Sequence, residues 1–225
     1  MSLAVVLVEP AGPLNVGSVA RLCANFAIEQ LRLVAPRCDH LGPEARQMAV
    51  HGEALLEQAT LYPDLAAAIA DCQRVVATSG RIETESLPLS EPGPALRWLC
   101  QDNNGKRGSK TTMAGLVFGR EDRGLSNAEL LQAGRVVRLA TSEAYASLNL
   151  SHAVAICLHE LQACRTQPHP VAASPAPAAT NDVELCNRGA LEAALADAEA
   201  LLLEVGFLYP HTAAARMAKL RALLQ

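Results

Sequence analysis

The chain has 225 residues, half of them hydrophobic, with 19 Lys and Arg against 23 Asp and Glu for a net charge of −4. That hydrophobicity excludes a disordered chain, no apolar run approaches the roughly 20 residues that span a bilayer, and the length suits one α/β domain with a small appendage. A net acidic chain is a poor general holder of RNA phosphates, so any RNA contact falls to local basic clusters.

The first strand is expected over 3–8, where Ala4-Val5-Val6-Leu7-Val8 is too short and lacks the basic flank of a signal-peptide core, so a cytosolic protein is expected. Pro10 to Gly12 ends this strand and leads into a helix over 14–26. A helix start at this point can bind an anion through its free N–H groups. Gly12 and Gly17 have the glycine spacing of a phosphate-binding loop, but Ser18 stands where that motif needs Lys, and no G-x-G-x-x-G occurs. Nucleotide hydrolysis and dinucleotide binding are therefore disfavoured. Asn15 and Arg21 lie nearly two turns apart; taken singly, they read as a helix cap and a solvated arginine.

A strand over 31–34, helices over 43–57 and 64–72, and a strand over 75–78 follow, the last ending in the turn Thr78-Ser79-Gly80-Arg81. After a helix over 94–101, the loop 103–110 carries Lys106, Arg107 and Lys110, candidates for phosphate contact as well as an ordinary solvated loop. A strand over 113–118 ends at Gly119, and the charged loop after it carries Arg120, Glu121, Arg123 and Gly124. Glu121 beside a strand-end glycine is a site candidate as well as an ordinary loop acid. Ser126 with Glu129 three residues on is a capping box opening a helix over 126–133. A strand over 136–139 leads through a polar loop to a helix over 147–165, where Ser147, Asn149 and Ser151 gather in the manner of N-caps. No G-x-S-x-G is present, and His152 has no evident acid partner, so serine-hydrolase chemistry is disfavoured and His152 reads as structural.

Residues 167–181 are rich in Pro and Ala and read as an extended linker. Helical stretches near 183–205 and 212–224, broken by Gly206 and Pro210, form a hairpin over 182–225 that docks on the main domain or a partner chain. The seven cysteines, Cys23, Cys38, Cys72, Cys100, Cys157, Cys164 and Cys186, form no C-x-x-C pair and read as reduced core residues, with no metal site expected. Strand–helix alternation predicts an α/β fold, a mainly parallel sheet with helices on both faces, and function near the C-terminal ends of the strands.

Three stretches in order carry a resemblance: Asn15 to Arg21 as N-x-x-x-x-x-R, Phe118 to Leu125 as F-G-x-E-x-x-G-L, and Ser147 to Ser151 as S-L-N-x-S. Together, over about residues 3–165, they resemble the TrmH-like branch of the SPOUT superfamily of RNA 2′-O-methyltransferases. Leu14 departs from the pattern, since a glycine often precedes the first asparagine there. The stretches Phe118 to Leu130, Glu143 to Leu150 and Val205 to Pro210 are most similar to those of enzymes that methylate the nucleotide on the 5′ side of the tRNA anticodon loop. The resemblance implies a C-terminal trefoil knot, which sequence patterning cannot reveal, a homodimer with each active site near the interface, and S-adenosylmethionine as cofactor with no metal. It implies a catalytic set of Arg21, Asn15, Glu121, Ser147 and Asn149. The cofactor would be lined by Thr78, Ser79, Gly80, Gly119, Leu139, Ala146, Ser147 and Leu148.

Arginine stays protonated in proteins, so Arg21 is expected to clamp a phosphate and lower the pKa of the ribose hydroxyl, with the other four residues orienting the reactants. RNA contact is expected from Lys106, Arg107, Lys110, Arg120, Arg123, Arg216, Lys219 and Arg221. The alternatives are a 2′-O-methyltransferase for rRNA or another tRNA position, or a catalytically silent RNA-binding relative.

Overall fold

The apolar run near the N-terminus forms β1 (Ser2–Val8), flanked by β2 (Gln30–Val34) on one side and β6 (Met113–Phe118) on the other, all parallel. The computed structural model describes residues 2–80, 89–101, 112–142, 144, 147–166 and 186–224. Among them β3 (Thr60–Tyr62), β4 (Arg74–Thr78), β5 (Leu89–Ser90) and β7 (Arg135–Val137) complete a seven-stranded parallel sheet in the order β3-β2-β1-β6-β4-β7-β5. Val5 pairs with both Leu31 and Leu116 at the centre, buried completely. β1 is apolar on both faces because both faces are covered, as expected of a parallel sheet. Leu3, Val5 and Leu7 join a core with α1 (Pro13–Asn25), α5 (Pro92–Cys100) and α7 (Leu150–Thr166), while Ala4, Val6 and Val8 join another with α4 (Leu65–Ile69).

Several boundaries differ from the sequence expectation. The helix expected over 43–57 divides into α2 (Pro43–Ala49), a 3-10 turn (Val50–Gly52) and α3 (Glu53–Glu57). The break has a packing cause: a Cβ on Gly52 would sit 2.6 Å from the Ala20 carbonyl oxygen, so the chain there lies directly on α1. The short edge strands β3 and β5 are not anticipated, because two or three residues carry no readable alternation. Helix α7 begins at Leu150, after Ser147 and Asn149. Between β6 and β7, the helix expected over 126–133 is a single turn, α6 (Asn127–Leu130), with its capping box formed.

Helices α8 (Arg188–Glu204) and α9 (Pro210–Leu223) form the hairpin, with Leu195, Leu208, Ala213 and Met217 buried between them. Pro210 opens α9 instead of interrupting it, since the first helical position needs no N–H. The amides of Arg188 and Gly189 donate to the carbonyls of Cys72 and Ala70, both 2.9 Å, which docks α8 on the end of α4. The linker 167–181 lies outside the described residues, as do Lys106, Arg107, Lys110 and Ala146. None of the seven cysteines is in a disulfide, and burial pushes the thiols of Cys23, Cys72 and Cys157 up to about 12. Among the described residues no helix is long and apolar enough to cross a membrane.

Candidate active site at the C-terminal edge of the sheet

The C-terminal ends of β4, β6 and β7 open onto one cavity of about 340 Å³, at the edge where parallel sheets bind ligands. Thr78, Ser79 and Gly80 form one wall, Phe118 and the loop 119–124 another, and Leu139, Ser147, Leu148, Leu150 and Ala153 the third. Main-chain and hydroxyl bonds hold the first wall: Thr78 Oγ1 donates to the Val117 carbonyl at 3.2 Å, and the Ser79 amide donates to the Val137 carbonyl at 3.0 Å. A Cβ on Gly80 would meet nothing within 4 Å, so the backbone there borders open space.

The second wall depends on glycine twice. A Cβ on Gly119 would lie 2.3 Å from the Gly124 carbonyl carbon, an impossible contact. Gly124 itself has φ +69, a conformation that glycine adopts without penalty. These two residues let the loop fold back on itself, with Arg120 and Gly124 exchanging backbone hydrogen bonds of 3.3 and 2.9 Å.

That turn aims Glu121 at the start of α1. Its carboxylate accepts the amides of Ala11 (3.1 Å) and Gly12 (3.0 Å) and Asn15 Nδ2 (3.3 Å). Asn15 Oδ1 in turn accepts Asn149 Nδ2 at 3.0 Å, and Asn149 Oδ1 accepts the Ser151 amide and hydroxyl at 2.9 and 2.8 Å. The network runs one way. A carboxylate only accepts, so Asn15 must present its NH₂ to Glu121 and its oxygen to Asn149, and Asn149 must cap α7 with its oxygen. Asn149 thus caps α7 and bonds Asn15 at once. Asn15 lies inside α1, behind Gly12 at the N-cap, so it is not the cap that its sequence position suggests.

The structure therefore brings Asn15, Glu121 and Asn149 into one hydrogen-bonded chain and sets Ser147 on the cavity wall. Arg21 lies apart: it is exposed on α1, and its side chain makes no hydrogen bond or ion pair among the described residues. The lining positions Thr78, Ser79, Gly80, Gly119, Leu139, Ser147 and Leu148 all face the cavity.

Two arginines expected to touch RNA are otherwise engaged. Arg120 is only 10% exposed and is bound by four acceptor atoms of three residues. Its Nη1 and Nη2 meet the two oxygens of Glu129 at 2.9 Å each, Nη2 also pairs with Glu9, and Nη1 reaches the Gly124 carbonyl at 3.2 Å. With two carboxylates on it, Arg120 is a brace of the loop and not a free phosphate contact. Arg221 is likewise held by Glu192, Nε to Oε1 at 3.1 Å, which removes it from the face expected to join Arg216 and Lys219. Those two are exposed, as is Arg123, which pairs with Glu9 at 3.3 Å.

Glu9 is not anticipated from the sequence. It follows β1 with φ +44, in a region that non-glycine residues rarely occupy, and it joins the end of β1 to the loop through Arg120. The hydrogen bond from Arg120 holds its carboxyl below the usual range. Burial pushes Glu129 upward, but bonds from Arg120 and Ser126 outweigh it and hold that carboxyl low too. The same pairs, that with Glu9 first, raise the pKa of Arg120. The available signal was an acid at a strand end in a chain whose next charged loop reads Arg-Glu-Asp-Arg.

Among the described residues no group of three or more His, Cys, Asp or Glu is placed to hold a metal. Residues 2–159 match the model of the SpoU rRNA Methylase family. The chain is 38% identical over 163 residues to the tRNA (cytidine-2′-O-)-methyltransferase TrmJ of Methanocaldococcus jannaschii, covering 71% of this chain and 66% of that protein. It is 31% identical over 223 residues to the tRNA (cytidine/uridine/adenosine-2′-O-)-methyltransferase TrmJ of Pseudomonas aeruginosa, covering 97% of this chain and 84% of that one. Among solved structures, TrmJ from Z. mobilis ZM4 superposes with a TM-score of 0.78 at 27% identity, over 100% of this chain and 90% of its own.

Proposed function

Because this chain belongs to the SpoU rRNA Methylase family, we propose that it transfers a methyl group from S-adenosylmethionine to a ribose 2′-hydroxyl of tRNA, at the nucleotide on the 5′ side of the anticodon loop. The observation that carries this reading is the Glu121–Asn15–Asn149 chain beside the cavity at the ends of β4, β6 and β7. The M. jannaschii and P. aeruginosa relatives, both named as tRNA 2′-O-methyltransferases, support the substrate class. A cavity of about 340 Å³ with apolar walls of Leu139, Leu148 and Leu150 and an open backbone edge at Gly80 fits an adenosyl group and an amino-acid tail.

When bound, the cofactor supplies a methyl already activated on a sulfonium, so the protein's part is alignment and proton management. Thr78, Ser79, Gly80, Gly119, Leu139, Ala146, Ser147 and Leu148 hold the cofactor. Glu121 fixes the start of α1 and the orientation of Asn15, and Asn149 ties both to α7. Arg21 clamps a phosphate of the RNA beside the target ribose and lowers the pKa of the hydroxyl. Residues 1–166 act as the methyltransferase domain, 167–181 as the linker, and the hairpin as a further RNA contact through Arg216 and Lys219.

The enzyme works in the cytoplasm as a homodimer through α1 and α7. Leu14 on α1 and Ile156 on α7 are 50% and 42% exposed in the single chain, apolar surface that a partner would cover. The knotted C-terminal crossover belongs to the same reading.

Transfer of a labelled methyl group to total RNA and to unmodified tRNA transcripts, followed by mapping of the modified nucleotide, tests the proposal. A 2′-O-methyl group at the 5′ side of the anticodon loop is the expected result. Label appearing in rRNA or elsewhere in tRNA would reassign the substrate, and no transfer to any RNA would refute the activity.

A further inference from the structure

The turn between α8 and α9 exposes two flat rings. Phe207 is 66% exposed and Tyr209 56%, the highest values for aromatic residues among the described residues. Leu208 between them is 3% exposed and packs in the hairpin's own core with Leu195, Ala213 and Met217. The turn is built to hold this out–in–out arrangement. Gly206 takes φ +72, the Leu208 amide donates to the Leu202 carbonyl at 2.9 Å, and the Tyr209 carbonyl accepts the amides of Thr212 and Ala213 at the start of α9. The rings are therefore outside by design of the backbone, and neither fills the hairpin core.

What surrounds them is cationic on the α9 side. Tyr209 stacks on His211, ring centroids 5.9 Å apart and 23° from parallel. Arg216 donates from Nη1 to the Phe207 carbonyl at 3.3 Å, which sets its guanidinium at the turn, and Lys219 is exposed one helical turn further on. The acids of the hairpin lie on α8: Glu192 is taken by Arg221, and Asp197, Glu199 and Glu204 precede the turn. Exposed rings with neighbouring cations match a nucleic-acid strand, whose bases stack on the rings while the phosphates meet the cations.

We propose that Phe207 and Tyr209 form a stacking platform for unpaired bases of the RNA substrate, with Arg216 and Lys219 holding the adjoining phosphates. The inference rests on the RNA-methylating function proposed above and adds to it a recognition element outside the catalytic domain. Apolar contact and phosphate contact leave different marks on binding. Stacking carries little salt dependence, whereas each neutralised phosphate adds to the slope of affinity against salt.

The test measures tRNA binding by the full chain across a salt series, on an RNA that the wild-type protein binds and methylates. Phe207→Ala and Tyr209→Ala are each expected to weaken binding by roughly 5- to 150-fold with the salt slope unchanged. Tyr209→Phe, which keeps the ring, is expected to bind like wild type. Arg216→Ala with Lys219→Ala is expected to flatten the slope by about 0.7 for each single-strand phosphate that is no longer neutralised. Thermal melting and cofactor affinity should stay at wild-type values in the ring variants, since both side chains lie outside the hairpin core. Unchanged affinity in the double ring variant would overturn the platform while leaving methyl transfer intact, so its failure is distinct from failure of the proposed function. Full affinity in Phe207→Leu with Tyr209→Leu would also overturn it, because a flat π face would not be needed. A ring variant with a smaller solution mass than wild type would overturn it in favour of a contact between two copies of the chain.

Discussion

Replacing Arg120 with Met keeps the apolar stem and removes the cation that joins Glu9, Glu129 and the Gly124 carbonyl. Removing one partner of a buried ion pair costs about 3–5 kcal/mol, because the remaining charge is left without its counter-ion. The side chains of Glu9 and Glu129 are 25% and 16% exposed, so water recovers part of the loss; a cost of about 2–3 kcal/mol is reasonable. For a protein of this size that is a fall in Tm of about 4–12 °C. Arg120→Lys should fall between, since an ammonium cannot make the bidentate pair with Glu129. The pH dependence follows from the signs. Both carboxyls are held below their ordinary 4.5 in the folded protein, so their contribution is present above that value and is lost as pH falls through the folded values. Melting curves on the wild type and Arg120→Met from neutral pH down to acid should converge at the acid end. A Tm for Arg120→Met within a degree of wild type at neutral pH, or a gap that does not close in acid, would refute the brace.

Glu121→Gln keeps the shape but offers one acceptor oxygen where Ala11, Gly12 and Asn15 present three donors; kcat for methyl transfer should fall about tenfold or more, with unchanged kcat counting against the network. Gly17→Ala would put a Cβ 2.1 Å from the Ala45 carbonyl oxygen, a backbone atom that cannot rotate away; a loss of about 2–3 kcal/mol in denaturant unfolding is expected as α1 and α2 are forced apart. Arg21→Ala should leave stability within about 0.5 kcal/mol, being an exposed residue whose side chain has no partner among the described residues, yet abolish methyl transfer, and Arg21→Lys should restore little of it because lysine lacks the planar fork. Near-normal turnover in Arg21→Ala would remove the proposed phosphate clamp.

The strands were legible wherever the chain needed burial on both faces, as at Val5, Leu116 and Val76, because continuous apolar runs bounded by turn residues have few other homes. The capping box of Ser126 and Glu129 was legible for a local reason: its geometry is set within four consecutive residues. Glu121, Asn15 and Asn149 were marked as candidates by order and spacing within a resemblance, not by anything physical in the residues themselves. Their hydrogen bonds span 106 and 134 positions, and no local pattern encodes contacts at such separations.

Tertiary structure alone decided the rest. It turned Asn15 from a cap into a bridge, because Gly12 and not Asn15 sits where the helix begins. It withdrew Arg120 and Arg221 from the pool of free cations by setting Glu9, Glu129 and Glu192 against them. It placed Phe207 and Tyr209 in water and Leu208 inside, since only the packing of α8 on α9 determines which side of a turn is core. Sequence specifies which groups are available for chemistry; the folded chain determines which of them are already consumed by one another, because the energy of a charge or a donor depends on the partners that distant segments bring to it.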